Sequence, residues 1–290
     1  MHRLPHAFAF ACLAAALPAF AQNAPKLDVP FGPTSFTTTD TMLRVAGVTA
    51  RDFVIDLGSG DGRINIQAAR ALGARGIGFE LDPALVGLSR EFAKIAGVSD
   101  KVEFREQNLF SADLAKATVV TLYLGPEVTP RVAPKLLAEL RPGTRLVSHN
   151  WKLGDWPPDL TVSGRQHGST VYFWWVPAKI AGVWRGTLPG GRTLTLDLRQ
   201  RYQEVDGDAA IPGSKAVVRD ARLEGVAFSF LVQEEERGEF RFRRFAGTVD
   251  GDTLRGHFRT ENPPAEAAFT MTRTVRAEPG PAGAWRAPPD

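Results

Sequence analysis

The sequence predicts an α/β domain whose parallel sheet is closed by an antiparallel hairpin, followed by a small all-β domain. Three observations predict it. From Asp52 to about Pro177, short apolar runs alternate with stretches of helical period, the pattern of strands joined by helical crossovers into a parallel sheet covered on both faces. The last two runs, Leu160 to Ser163 and Thr170 to Val176, are separated only by Gly164 to Ser169; that gap is too short for a crossover, so they pair antiparallel. Beyond Pro177 the apolar period shortens to two, with glycine-bearing turns between the runs. A chain of 290 residues with 43% hydrophobic and 23% charged residues can bury a real core.

Taken in order, residues 1–21 form a leader. A basic Arg3, a short apolar run and Ala19-Phe20-Ala21 before Gln22 describe a secretory signal peptide cleaved after Ala21. Export to the periplasm is the expectation, and an uncleaved leader anchoring the chain at a membrane is the alternative. Cys12 is the only cysteine and lies inside this leader. The mature chain would then have no disulfide, cysteine-based zinc site or thiol nucleophile.

The α/β domain is expected over 28–178. Phe53-Val54-Ile55 is a buried strand, and Arg63 to Leu72 is an amphipathic helix. Gly76 to Phe79 is a second strand, followed by a helix over Pro83 to Ala96. Val102 to Phe104 and Val119 to Leu122 are further strands. Val132 to Leu140 is a helix stopped by Pro142-Gly143, and Arg145 to Ser148 is the next strand. The β domain is expected over 180–275, with six to eight short strands in a barrel or sandwich. Its runs Thr193 to Arg199, Val226 to Phe230 and Phe269 to Arg273 alternate strictly. Residues 276–290 read as a flexible Pro/Gly/Ala-rich tail.

The net charge is +3, spread evenly over both parts, so no nucleic-acid partner is indicated. The five histidines show no metal-ligand spacing, and no metal is expected. Oligomeric state leaves no mark in the sequence.

The stretch Val54 to Ala69, VIDLGSGDGRINIQAA, carries the chemistry. Gly58, Gly60 and Gly62 stand at alternate positions, with Ser59 between the first two and Asp56 ahead of them. A dinucleotide turn brings glycines to a pyrophosphate at a helix N-terminus, and a carboxylate beside it would repel that group. A ligand with an ammonium and no phosphate would be attracted. S-adenosylmethionine, with a cationic amino acid end, a sulfonium, a ribose and an adenine, fits. Glu80 ends the second strand, where a carboxylate can accept from both ribose hydroxyls, though dinucleotide enzymes also use an acid there. Asn108 follows the third strand, where its amide oxygen can accept from the adenine amine. The plain structural readings are a turn-capping aspartate, a solvated strand end and a loop asparagine.

VIDLGSGDGRI, GIGFELDP, NLF, VVTLYLGPE and LAELRPGTRLVSHNW resemble the class I S-adenosylmethionine-dependent methyltransferases, in particular the ATP synthase c-subunit lysine methyltransferase family. Val29 to Thr34 resembles the proline-rich segment that precedes the glycine turn there. The likeness runs over about 29–176 and implies a methyltransferase acting on a protein lysine ε-amine. The β domain is no part of the shared pattern. In that fold, residues after the fourth strand face the methyl group, here Tyr123 to Glu127. Glu127 is the candidate for orienting or deprotonating the acceptor, and Tyr123 for lining the amine channel. The plain reading of Glu127 is an acid in the first turn of a helix. His149, Asn150, Trp151 and Trp156 are candidates for a further wall. A small-molecule amine or hydroxyl acceptor, and a non-catalytic binding protein with the ligand in its barrel, are the alternatives.

Two features of the β domain bear on packing. Gly182-Val183-Trp184 with Arg273 in the last strand resembles the G-x-W and arginine pair of lipocalin-like barrels, where ring and guanidinium stack. Phe240-Arg241-Phe242-Arg243-Arg244-Phe245 reads as an apolar inner face and a solvated outer one.

Overall fold

A computed structural model describes residues 31–164, 168–261 and 264–278. The leader 1–21, Val29 and Pro30, and the tail from 279 lie outside the described residues. Seven strands form one sheet: β1 Phe53–Leu57, β2 Arg75–Glu80, β3 Val102–Glu106, β4 Val119–Leu122, β5 Arg145–His149, β6 Leu160–Ser163 and β7 Thr170–Trp175. Their order is β3-β2-β1-β4-β5-β7-β6. The first five run parallel, and β7 pairs antiparallel with both β5 and β6. This is a Rossmann-like methyltransferase sheet, as the short Gly164–Ser169 gap required. The strand order reverses between β1 and β4, so the ends of these strands open onto a crevice where ligands bind in such sheets.

Helices α1 Phe36–Val45, α2 Arg63–Leu72, α3 Pro83–Ile95 and α4 Gly125–Glu139 cover the sheet. Two depart from the sequence expectation. The threonine-rich α1 has low intrinsic propensity, but Ser35 caps it by accepting from the Thr38 N–H, and burial of Met42 and Leu43 holds it down. Helix α4 starts seven residues earlier than its apolar period suggests. Pro126 sits in the first turn, where no N–H is needed. Pro130 and Pro134 are inside the helix, tolerated because Val128, Val132 and Leu136 are buried in the core.

Eight antiparallel strands follow: β8 Gly182–Thr187, β9 Thr193–Arg201, β10 Glu204–Ile211, β11 Ser214–Glu224, β12 Ala227–Glu236, β13 Glu239–Asp250, β14 Thr253–Glu261 and β15 Pro264–Arg276. They close into a barrel in the order β10-β11-β12-β13-β14-β15-β8-β9, which removes every sheet edge. The interior is filled by side chains, with Phe230 and Phe245 stacked 4.7 Å apart and Phe228, Phe258 and Phe269 around them. A packed core of this kind weighs against the barrel as a ligand container. Arg273 lies 5.0 Å from the Trp184 ring, as the G-x-W reading expects, and donates to Asp252 and to the Lys179 carbonyl.

The alternation over Phe240 to Phe245 has the opposite register to the one expected. Phe240 and Phe242 are 55% and 44% exposed, whereas Arg243 is buried. Phe245 sets the parity, because it belongs to the aromatic core, and the adjacent Arg243-Arg244 pair puts the two preceding phenylalanines on the outer face. Arg243 is satisfied inside by Glu234, which also accepts from Arg192 and Ser214. Burial alone would raise the Glu234 carboxyl, but these partners outweigh it and hold it at about 2.

Candidate functional site

The site is built where β1 ends. Gly58, Gly60 and Gly62 all have positive φ, at 75°, 54° and 77°, so the chain reverses twice before α2 begins. A Cβ on Gly60 would lie 2.7 Å from the Phe31 ring, and one on Gly62 would lie 2.5 Å from Phe104. Glycine is required by both conformation and space.

The turn uses its own donors. The Gly58 and Ser59 N–H groups donate to the Phe79 carbonyl at 2.9 and 3.0 Å, and Gly62 donates to Ser59 at 2.9 Å. The Gly60 N–H donates to Glu80 Oε2 at 2.8 Å. Four amides of the turn, those of Gly58, Ser59, Gly60 and Gly62, are therefore spent internally rather than left for an anion. Glu80 accepts in addition from the Leu81 and Asp82 N–H groups through Oε1. Its carboxylate is fixed at the cavity with one acceptor position left, on Oε2.

Three carboxylates line this cavity: Asp56, Asp61 and Glu80. Asp56 is 2% exposed and accepts from Thr121 Oγ1 at 2.7 Å. Burial pushes its carboxyl up to about 7; Thr121 opposes the rise, and the charges of Glu80 and Asp61 add to it. Asp61 is neutralised locally by Arg63, 2.5 Å away. Arg63 Nη1 also donates to the Thr34 carbonyl at 2.9 Å, tying the 31–34 strap to the glycine turn. Sequence reasoning does not single out Asp61 and Arg63, although an acid between two of the glycines is a visible signal. With one guanidinium against three carboxylates, the cavity favours a cation.

The structure brings Asp56, Gly58, Ser59, Gly60, Glu80, Asn108 and Tyr123 to this single cavity. Ser59 Oγ is buried against Gly78 of β2, with no protein hydrogen-bond partner. Gly62 stands just behind it as the N-cap of α2. Asn108 borders the cavity, but its Oδ1 accepts from the Phe110 N–H at 2.9 Å and caps the 3-10 turn Leu109–Ser111. Its amide NH2 is the group left to meet an adenine ring nitrogen, a change from the expected role of the oxygen.

Glu127 is not brought to the cavity. It is exposed in the first turn of α4, and the neighbours that face inward are Leu124 and Val128. Gly125, at φ 77°, starts the helix so early that Glu127 rotates away. The favourable place of an acid at a helix N-terminus accounts for it.

Behind Tyr123 sits His149, with ring centroids 4.1 Å apart. His149 is 5% exposed, and burial pushes its imidazole down to about 4, so it is neutral. Its Nδ1 lies 3.2 Å from Thr34 Oγ1 and its Nε2 2.8 Å from Ser169 Oγ. It supports the wall from behind. Trp156 is fully buried against Trp174, 6.3 Å between centroids, and belongs to the core. Among the described residues no cluster of His, Cys, Asp and Glu is arranged to hold a metal.

The donor set fits S-adenosylmethionine: carboxylates for its cationic groups and ribose, Arg63 for its carboxylate, and apolar Leu81, Leu85 and Leu109 around the adenine end. Comparison with known proteins agrees. Residues 56–160 match the family described as the ANTKMT methyltransferase domain. The chain is 36% identical over 149 residues to a protein-lysine N-methyltransferase of Saccharolobus islandicus, an alignment covering 50% of this chain and 92% of that protein. It is 42% identical over 110 residues to the adenine nucleotide translocase lysine N-methyltransferase of Mus musculus, covering 38% of this chain and 48% of the relative. With the mouse lysine N-methyltransferase of the ATP synthase c-subunit it shares 34% identity over 137 residues, 47% of this chain and 55% of the relative. The chain thus spans about half the length of both mouse proteins. Among solved structures, an RNA methyltransferase from Salinibacter ruber in complex with S-adenosyl-L-homocysteine is 52% identical, with a TM-score of 0.50, covering 51% of this chain and 96% of that one.

Proposed function

Because this chain belongs to the ANTKMT-type family of S-adenosylmethionine-dependent methyltransferases, we propose that its acceptor is the ε-amine of a protein lysine. The observation that carries the reading is the cavity itself: a carboxylate-rich pocket beside a turn whose Gly58, Ser59, Gly60 and Gly62 amides are already spent, lined also by Tyr123 and Phe31. S-adenosylmethionine supplies a methyl carbon made electrophilic by its sulfonium. What the chain contributes is alignment, the main requirement for such a transfer.

Tyr123 and Phe31 both line the cavity, and aromatic faces attract a cation such as an alkylammonium before it loses its proton. A lysine is almost wholly protonated near neutrality, with an ordinary pKa of about 10.4. Desolvation at this mouth lowers that value. Neutral His149 holds the Tyr123 ring in place from behind. The kinship with proteins named lysine methyltransferases supports the same acceptor.

A second reading follows from the Salinibacter protein, described as an RNA methyltransferase. Against it stands the even spread of charge along this chain, in which no run of basic residues marks a phosphate-binding stretch. A small-molecule amine is the third acceptor class. Incubating the enzyme with methyl-labelled S-adenosylmethionine and separated protein, RNA and small-molecule fractions of a lysate decides among them. Label in acid-stable methyl-lysine is expected; label in RNA or in the small-molecule fraction alone would replace this reading.

We also propose that residues 1–21 direct export, with cleavage after Ala21. Among the described residues no helix is long and apolar enough to cross a membrane. Fractionation of cells carrying a C-terminally tagged chain tests the proposal: a product starting at Gln22 in the periplasm is expected, and an intact leader in the cytosol contradicts it.

A further inference from the structure

The barrel contributes no residue to the cavity lining, yet it is joined rigidly to the sheet. Val176, Ala178, Ile180 and Ala181 of the connection are buried. Gln200 of β9 accepts from the Ile180 N–H at 2.7 Å and donates to the Ala178 carbonyl at 2.8 Å. The Ala178 N–H donates to Gly225 at 2.7 Å. A tether between independent units needs none of these contacts.

The tightest engagement is at the β9–β10 turn. Tyr202, at its tip, has φ 54°, as the first residue of a two-residue hairpin loop. Its ring stacks on Trp156 at 5.7 Å with an interplanar angle of 10°. Trp156 Nε1 donates to Gln203 Oε1 at 2.9 Å, and Gln203 Nε2 donates to the Pro157 carbonyl at 2.6 Å. Asp155 accepts from the Tyr202 hydroxyl at 2.7 Å and from Arg201 at 2.8 Å. Burial, with the Asp155 carboxylate, pushes the Tyr202 hydroxyl up to about 12.

Every residue gripped on the sheet side belongs to the segment after β5. That segment leaves His149, which holds Tyr123 and Thr34, both at the cavity. Asn150, at φ 62°, donates its N–H to Thr170 at 2.7 Å, and Gly154 approaches Pro130 of α4, the helix whose Val128 lines the cavity. We infer that the β9–β10 turn of the barrel is a positioning element for the acceptor wall: by clamping Asp155, Trp156 and Pro157 it fixes the segment that carries His149 and, through it, Tyr123. The inference rests on the proposed methyl-transfer reading for its functional meaning, while its physical content concerns only which amides are held. Coupling of this kind travels through packed side chains and hydrogen bonds.

The test is hydrogen exchange on the full chain with S-adenosylhomocysteine bound, comparing wild type with the double variant Tyr202→Ala/Gln203→Ala. Exchange at the hydrogen-bonded amides of Asn150, Trp151 and Trp156 is expected to rise at least ten-fold. The Gly58–Gly62 amides, held by Phe79 and Glu80, should stay within two-fold of wild type. Tyr202→Phe, which keeps the stacked ring, should restore most of the protection. Should the double variant fail to fold, Asp155→Ala severs two of the ties from an exposed position and serves in its place. Loosening confined to Trp156, or equal loosening of the Gly58–Gly62 amides, would overturn the inference. Where labelled methyl is transferred to lysate protein, the rate at limiting acceptor should drop at least five-fold in the double variant and recover in Tyr202→Phe. A wild-type enzyme that binds S-adenosylhomocysteine but labels no protein would remove the lysine reading and leave the exchange result to judge the clamp.

Discussion

Asp56 and Glu80 sit at the same cavity but are held in opposite ways. Glu80 is anchored by three backbone N–H groups, whereas Asp56 has one hydroxyl partner and a desolvated setting that raises its carboxyl to about 7. Glu80→Ala should weaken S-adenosylmethionine binding by ~1.5–3 kcal/mol, the range for a charge-assisted hydrogen bond. Part of that loss comes from freeing the Gly60 N–H, so Glu80→Gln should fall between variant and wild type in calorimetric titration. The sign for Asp56 follows from linkage. Its native pKa lies above the ordinary 3.8, so the native state keeps a proton between about pH 4 and pH 7 that the unfolded chain has lost. Stability from this group therefore falls as pH rises through that window. A cationic ligand favours the ionised form, so affinity should rise with pH through about 7 and then level. Asp56→Asn should flatten both trends. An unchanged slope in the variant would assign the titration elsewhere. Both acids were legible in the sequence because they stand at strand ends beside a glycine turn. Asn108 was legible as a position but not as a geometry, because a side-chain cap to the next turn competes with any ligand for Oδ1.

At the scale of elements, the glycine turn and the hairpin-closed sheet could be read directly, since loop length and alternate glycines leave few geometries. Gly62 tests this most sharply. Gly62→Ala must adopt φ 77° and place its Cβ 2.5 Å from Phe104 and 2.8 Å from Ser89. A loss of ~1–3 kcal/mol is expected from the conformation alone, with the clash adding to it, read as a lowered midpoint in urea unfolding. A wild-type midpoint would contradict the turn as described. The elements that escaped sequence reading are those in which tertiary burial overrides local preference. Helix α1 is rich in threonine, and α4 runs through two prolines. In β13, the parity of Arg243 is decided by a phenylalanine core and a glutamate on the neighbouring strand. Glu127 lies outside the cavity lining for the related reason that α4 begins earlier than its sequence suggests.

For the molecule as a whole, the buried connection and the Trp156 clamp make the sheet and the barrel mechanically continuous. Calorimetry of the free protein should show one cooperative unfolding transition, and two resolved transitions would show that the interface is dispensable. None of this continuity could be read from sequence, because Tyr202 and Gln203 look like ordinary hairpin residues until the partner surface is known. The central claim is electrostatic: acids gathered at β1 and β2, with turn amides already engaged, select a phosphate-free cationic nucleoside. Titration calorimetry of the purified protein at pH 8 with S-adenosylmethionine and, separately, with NAD tests it most directly. One-to-one binding of S-adenosylmethionine with no detectable heat from NAD is the predicted result; tight NAD binding with no response to S-adenosylmethionine would contradict it.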